Sequence, residues 1–163
     1  MEGMALSLNQ LSVFELCAGL AAKKFSAVEL AESLTHHIQQ NSDLGSIATF
    51  DPEAYHNQAE EADVRRKAGS SKSLDGIPLI LKDNIDTKDL PTTGGTGALA
   101  GRSPSKDAPA VTALKRAGAI IPAKAVMHEL AFGITSNNNV TGPARNPYDK
   151  SKIPGGSSGG AAA

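Results

Sequence analysis

The sequence predicts an α/β fold, and three observations lead to that prediction. The chain has 163 residues, of which 40% are apolar, so it can bury the core of one domain. Helical patterns fill most of residues 11–67, with apolar positions about 3.6 residues apart rather than two. Beyond them, a helical pattern at residues 107–116 separates two short apolar segments, 76–81 and 119–123, that have the length of buried strands.

Two helices are predicted at the start of the chain. The apolar residues of the first are Leu11, Phe14, Leu16, Leu20 and Ala21, which fit one face of an amphipathic helix over residues 11–22. The second helix begins after Ser26, because Glu29 stands three residues later and completes the S/T-x-x-E capping box. It ends near Asn41.

A strand and a third helix follow. Residues 46–50 favour a strand, and Asp51-Pro52-Glu53 is a cap followed by proline and an acidic residue in the first helical turn. That helix is expected to end near Lys67. In the second half, Gly118 stops the helix at residues 107–116, and residues 161–163 resemble the first turn of another helix.

Charge and composition exclude several kinds of partner. The 16 basic and 17 acidic residues nearly cancel and form no runs, which argues against binding to nucleic acid or to an anionic membrane. No apolar segment reaches the roughly 18 to 20 residues that span a bilayer, and no secretory signal is evident. The single cysteine, Cys17, excludes an internal disulfide. We therefore expect a cytoplasmic protein that acts on a small neutral molecule.

Two short segments are candidates for chemistry. Lys82 ends the apolar segment 76–81, where partial desolvation favours its neutral form and lets it accept a proton. A lone lysine at the end of a strand is more often simply solvated. In the Gly155-Gly156-Ser157-Ser158-Gly159-Gly160 segment, glycines allow unusual backbone geometry and close approach to a substrate, although the composition also fits a flexible linker. It lacks the lysine of a phosphate-binding loop.

Taken together, three segments resemble the amidase signature family, in its order and at approximately its spacing. They are GIPLILKDNIDTKDLPTTGGT at residues 76–96, DAPAVTALKRAGAIIPAKAVMHELAFG at 107–133, and GPARNPYDKSKIPGGSSGG at 142–160. The resemblance implies the amidase-signature fold, a central mixed β-sheet surrounded by α-helices, incomplete in this chain. It also implies amide hydrolysis by a Ser-cisSer-Lys triad without a metal or an organic cofactor.

Carried over residue by residue, the resemblance makes Lys82 the base and Ser157 the bridging serine that follows a cis peptide bond. Ser158 and the glycines Gly155, Gly156 and Gly159 support the same loop. The family's nucleophilic serine and its oxyanion-hole donors lie farther along than residue 163. We therefore expect residues 1–163 to be the N-terminal part of one amidase-signature domain, truncated before the nucleophile and inactive alone.

His128 and Met127 have a separate interpretation. His128-Glu129 begins like a zinc-protease motif, but Phe132 stands where its second histidine belongs, so no metal site is predicted. The resemblance instead places Met127 and His128 along the wall of the pocket for the acyl group. The alternative is that both residues take part in ordinary packing.

The resemblance favours a small carboxamide as the substrate. Residues 127–138 and the ARNPYD segment look most like the arylacetamide branch, such as indoleacetamide or mandelamide hydrolases. One alternative is the A subunit of the glutamyl-tRNA(Gln) amidotransferase, which shares the triad but works with partner subunits. Another is a non-catalytic binding or regulatory module derived from an amidase. A homodimer of the full-length protein remains open.

Overall fold

The computed structural model describes residues 7–163 as a small sheet flanked by helices. Helices α1 (Val13–Ala21) and α2 (Ala27–Gln40) each begin with a capping box. The box of α2 is the predicted one, formed by Ser26 and Glu29. Ser12 and Glu15 form an equivalent box for α1, in which each side chain accepts a hydrogen bond from the other residue's backbone N–H.

Helix α3 (Pro52–Lys67) follows the strand β1 (Ile47–Phe50) directly. The Asp51 side chain accepts a hydrogen bond from the Ala54 backbone N–H at 2.9 Å, which caps the first turn as predicted. The remaining helices of residues 7–163 are α4 (Pro109–Arg116) and α5 (Gly159–Ala162). Short 3-10 turns lie at Leu8–Gln10, Ser42–Leu44, Gly97–Leu99 and Glu129–Ala131.

The sheet is mixed, with strands in the order β1, β3, β2. The central strand β3 (Ala123–Ala125) is buried throughout, and it pairs antiparallel with β1 and parallel with β2 (Leu81–Lys82). The β1 register contains an irregularity between Ile47 and Thr49. The parallel register sets Lys82 opposite Ala125, so the end of β2 lies beside the end of β3.

Both strands of the second half begin later than the sequence predicts. Of residues 76–81 only Leu81 lies in β2, and residues 119–123 contribute only Ala123 to β3. A single parallel bridge between Pro78 and Ile120 stands where the longer ladder was expected. The bridge is formed by the Ile120 N–H bonding to the Ile77 carbonyl and the Leu79 N–H bonding to the Ile120 carbonyl, so Pro78 does not interrupt it. Pro122 has no N–H to donate at the next position, which explains why regular pairing starts only after it.

The main core lies between α1, α2 and α3 and the chain around Ile77 and Ile120. Phe14 is not part of it: its side chain is 82% exposed, so the predicted apolar face of α1 was wrong at that position. A smaller core forms around Leu90, Val111 and Ile121. Within residues 7–163, no helix has the length and apolar character that crossing a membrane requires.

Candidate active site

Lys82, the last residue of β2, reaches the loop that contains Ser157. Its Nζ donates a hydrogen bond to the Ser157 Oγ at 2.6 Å, between residues 75 positions apart in the chain. Both residues are partly buried. The fold thus brings together the two residues for which the sequence predicts the roles of base and bridging hydroxyl.

The loop around Ser157 is tied to the chain that follows β3. The peptide bond between Gly156 and Ser157 is cis. The Ser157 carbonyl accepts a hydrogen bond from the His128 N–H at 3.0 Å, and the Gly160 N–H donates to the Val126 carbonyl at 2.9 Å. These backbone contacts fix the loop on both sides of the Ser157 side chain.

Ser136 holds the same loop through its side chain. It is fully buried, and its Oγ donates to the Gly155 carbonyl at 2.7 Å and accepts from the Gly159 N–H at 2.8 Å. Its φ of +53° is uncommon for a residue other than glycine. Ser136 was not predicted from the sequence, because a serine in a segment rich in glycine and asparagine carries no distinguishing signal.

Two glycines of the loop are required by its geometry. Gly155 has a φ of +92°, a conformation that L side chains rarely adopt. A Cβ added to Gly156 would lie 2.7 Å from the Ile134 carbonyl carbon and 2.9 Å from the Gly133 carbonyl oxygen. The segment is therefore a shaped loop packed against residues 133–134 rather than a flexible linker.

Three other predicted site residues occupy different positions around this loop. Ser158 is exposed, and only its backbone carbonyl is engaged among the described residues, by the N–H groups of Ala161 and Ala162. His128 is partly exposed, with its Nδ1 3.1 Å from the Thr135 Oγ1. Met127 is fully buried, so its side chain contacts no open surface in this structure.

Asp83, next to Lys82, faces a different set of groups. Its carboxylate accepts hydrogen bonds from the N–H and hydroxyl of Thr93 and lies 3.6 Å from the buried Nζ of Lys124. Lys124 also donates to the Ile85 carbonyl at 2.7 Å and to the Thr92 Oγ1 at 2.8 Å. Burial lowers the pKa of Lys124, and the nearby Asp83 carboxylate opposes that effect.

This buried ion pair was also not predicted from the sequence. The sequence feature that could have revealed it is Lys124, inside the apolar stretch that becomes β3, because a buried charged side chain requires a partner. Among residues 7–163 no group of three or more histidine, cysteine, aspartate or glutamate side chains is arranged to hold a metal ion. The three surface cavities described for this part of the chain include neither Lys82 nor Ser157 in their linings.

A model of the amidase family matches residues 29–163, which is most of the chain. The chain belongs to the amidase family. This confirms the family predicted from the three segments around Lys82 and Ser157.

Curated relatives match this amidase chain over nearly its whole length. The A subunit of the glutamyl-tRNA(Gln) amidotransferase of Legionella pneumophila is 40% identical over 156 residues, which cover 96% of the chain and 32% of the relative. The indoleacetamide hydrolase of Allorhizobium ampelinum is also 40% identical, over 151 residues that cover 93% of the chain and 32% of the relative. The chain therefore spans about a third of the length of these relatives.

Solved structures of amidases share the fold. A crystal structure described as an amidase superposes with a TM-score of 0.86 at 36% identity, covering 92% of this chain and 35% of the other. The native peptide amidase of Stenotrophomonas maltophilia gives a TM-score of 0.87 at 32% identity, covering 93% and 33%. The predicted α/β amidase-signature fold is thus confirmed over the part that this chain covers.

Proposed function

We propose that this amidase-family protein hydrolyses a small carboxamide to a carboxylic acid and ammonia, with Lys82 as the base and Ser157 as the proton relay. The observation that carries the proposal is the 2.6 Å hydrogen bond between the Lys82 Nζ and the Ser157 Oγ. A hydroxyl both donates and accepts hydrogen bonds, so it can pass a proton from one group to another.

In the proposed reaction, neutral Lys82 accepts the Ser157 proton while Ser157 takes a proton from a second serine. The second serine attacks the amide carbonyl. Its proton returns through Ser157 to the amide nitrogen, which then leaves as ammonia. Water then releases the acid from the acyl-enzyme by the reverse relay. By resemblance to the family, the second serine and the oxyanion donors lie beyond residue 163, so we expect residues 1–163 alone to hydrolyse no amide.

For the substrate we propose an arylacetamide. The support is the resemblance of residues 127–138 to arylacetamide hydrolases and the 40% identity to an indoleacetamide hydrolase. His128 is the residue of that segment with both an exposed surface and a backbone hydrogen bond to the Ser157 carbonyl. We assign it to the wall of the acyl pocket, with buried Met127 behind it.

A second candidate function is that of the A subunit of a glutamyl-tRNA(Gln) amidotransferase. Relatives with that name from Legionella pneumophila and Anaeromyxobacter are 40% and 41% identical to the chain. Such a protein works together with partner subunits, whereas an arylacetamide hydrolase acts on a free amide. Dependence on those partners therefore separates the two candidates.

The test is a chimera in which residues 1–163 replace the matching third of the Allorhizobium ampelinum indoleacetamide hydrolase. We expect it to release ammonia and indoleacetate from indoleacetamide. Lys82→Arg keeps a cation but cannot accept a proton, and we expect it to lower kcat by about 100-fold or more. Ser157→Ala should act similarly, whereas Ser105→Ala, at an exposed loop serine, should not.

A folded chimera that is inactive, or one in which Lys82→Arg leaves kcat unchanged, would contradict the proposed roles. A matching chimera with the Legionella pneumophila amidotransferase tests the second function, and it is assayed with the partner subunits on glutamine and glutamyl-tRNA. Activity only in that chimera would favour the amidotransferase over the arylacetamide hydrolase.

A further inference from the structure

Lys82 and Ser157 form a hydrogen-bonded pair in which no other described side chain takes part. Among residues 7–163, Ser157 is the one group to which the Lys82 side chain hydrogen-bonds, and the Nζ to Oγ distance is 2.6 Å. We propose that Ser157 is itself an acyl acceptor: with Lys82 as its base, its hydroxyl is acylated by an activated ester. This goes beyond the proposed amide hydrolysis, in which Ser157 only relays a proton.

No described carboxylate lies within ion-pair distance of the Lys82 Nζ. Lys82 takes part in no ion pair within residues 7–163. The nearest acidic residue in sequence, Asp83, is 2% exposed and is engaged by Thr93 and by Lys124 at 3.6 Å. A lysine with a hydroxyl as its partner, rather than a carboxylate, is the arrangement of serine-lysine catalytic pairs.

The loop that carries Ser157 is held in place, and Ser157 is only partly buried. The buried Ser136 hydroxyl bonds to both ends of the loop, and the His128 N–H binds the Ser157 carbonyl at 3.0 Å. Ser157 is nevertheless partly exposed. A Cβ built on Gly155, two residues before Ser157, meets no atom within 4 Å, so there is open space at that end of the loop.

The adjacent serine provides a contrast within the same loop. Ser158 is more exposed than Ser157, but its hydroxyl has no hydrogen-bond partner among the described residues. An unassisted serine hydroxyl is a weak nucleophile at neutral pH. Accessibility alone would favour labelling of Ser158, whereas assistance by Lys82 favours Ser157.

The chemical step is a transfer of the acyl group from an aryl ester to Ser157. Lys82 accepts the hydroxyl proton as the Oγ attacks the ester carbonyl and a new ester bond forms. The bond between the acyl carbon and the aryloxy oxygen breaks, and the phenol leaves with the proton that Lys82 held. The products are an O-acyl Ser157, neutral Lys82 and one phenol, with no oxidation or reduction.

The experiment treats the 163-residue chain with 4-nitrophenyl acetate, follows release of nitrophenolate, and maps the acetyl group by mass spectrometry after an acid quench. Hydroxylamine removes O-acetyl groups but leaves acetylated amines, so it separates the two products. We expect an O-acetyl group on Ser157, formed about 100-fold faster than on the exposed Ser105. Lys82→Arg and Lys82→Met should both abolish this advantage, while Lys72→Arg, at an exposed lysine, should leave it unchanged.

Two results would overturn the proposal: acetylation of Ser157 no faster than that of Ser105, or acetylation of the Lys82 amine that is equally fast in Ser157→Ala. The first comparison is made within the unsubstituted chain and needs no variant to fold. Amide hydrolysis is measured separately in the chimera, so either idea can fail while the other stands. An acylated Ser157 with an inactive chimera leaves this proposal intact.

Discussion

The Ser136 Oγ accepts a hydrogen bond from the Gly159 N–H at 2.8 Å and donates one to the Gly155 carbonyl at 2.7 Å. One buried hydroxyl therefore joins both ends of the loop that presents Ser157. No backbone group takes over this role in the described hydrogen bonds of the two glycines. The position of the Ser157 Oγ relative to Lys82 consequently depends on a residue that contacts neither of them by hydrogen bond.

We expect Ser136→Ala to lower the free energy of unfolding by about 1–3 kcal/mol, because it leaves the buried Gly159 N–H without an acceptor. Denaturant unfolding measures that loss, and amide hydrogen exchange at Gly159 should become faster. Ser105→Ala is the matched control, since Ser105 is exposed. Unchanged exchange at Gly159 would show that Ser136 does not hold the loop.

The buried pair of Asp83 and Lys124 gives a second prediction. Their side chains are 2% and 0% exposed and lie 3.6 Å apart. Removing one partner of a buried ion pair leaves a charge without compensation, which costs about 3–5 kcal/mol. We expect Asp83→Leu and Lys124→Met each to lower the free energy of unfolding by about that amount, as measured by urea unfolding.

The double variant, Asp83→Leu with Lys124→Met, should be less destabilised than the sum of the two single variants. Replacing both charges with apolar groups removes the need for either to be compensated. The difference from additivity is the coupling energy of the pair. Additive losses within about 0.5 kcal/mol would mean that the two side chains do not act as a pair.

Local sequence signals were sufficient where an element depends on its own residues. The capping box at Ser26 and the Asp51 cap were predicted, since each involves side chains within three residues of the backbone group they bind. The strand bounds in the second half could not be predicted in the same way. They depend on pairing between residues about 40 positions apart, where Pro122 interrupts the ladder.

The residues of the candidate site also differ in whether the sequence predicts them. Lys82 and Ser157 were named from motifs that match a known family, and the structure places their side-chain atoms 2.6 Å apart. Ser136 was not named, because its importance comes only from contacts with residues 19 and 23 positions away. The spacing and periodicity of a sequence do not reveal contacts between residues so far apart in the chain.

A third prediction concerns Tyr55, whose side chain is 1% exposed and whose hydroxyl has no hydrogen-bond partner among the described residues. Burial raises the pKa of Tyr55 above its usual value of about 10. Above that pH the unfolded chain loses the phenol proton while the folded chain keeps it, so stability falls as the pH rises.

We expect Tyr55→Phe to remove that alkaline loss and to match or exceed the parent's stability at pH 7, by up to about 1–3 kcal/mol, because it deletes an unpaired buried hydroxyl. Thermal unfolding between neutral and strongly alkaline pH measures both effects. Tyr148→Phe is the matched control, since Tyr148 is 98% exposed. If Tyr55→Phe and its parent lose the same stability at alkaline pH, the titration of another group causes that loss.

A fourth prediction concerns the five large apolar side chains of residues 130–153 that are more than half exposed. Their exposed fractions are 63% for Leu130, 90% for Phe132, 72% for Ile134, 98% for Tyr148 and 51% for Ile153. Exposed apolar side chains in such number promote association between chains. We expect the weight-average mass of the 163-residue chain in sedimentation to rise with concentration, and the double variant Phe132→Ser with Ile134→Ser to weaken that rise.

Val64→Ser is the control, since Val64 on α3 is 64% exposed but lies outside this segment. If Val64→Ser reduces the association as much as the double variant does, the contact is nonspecific and residues 130–153 are not its site.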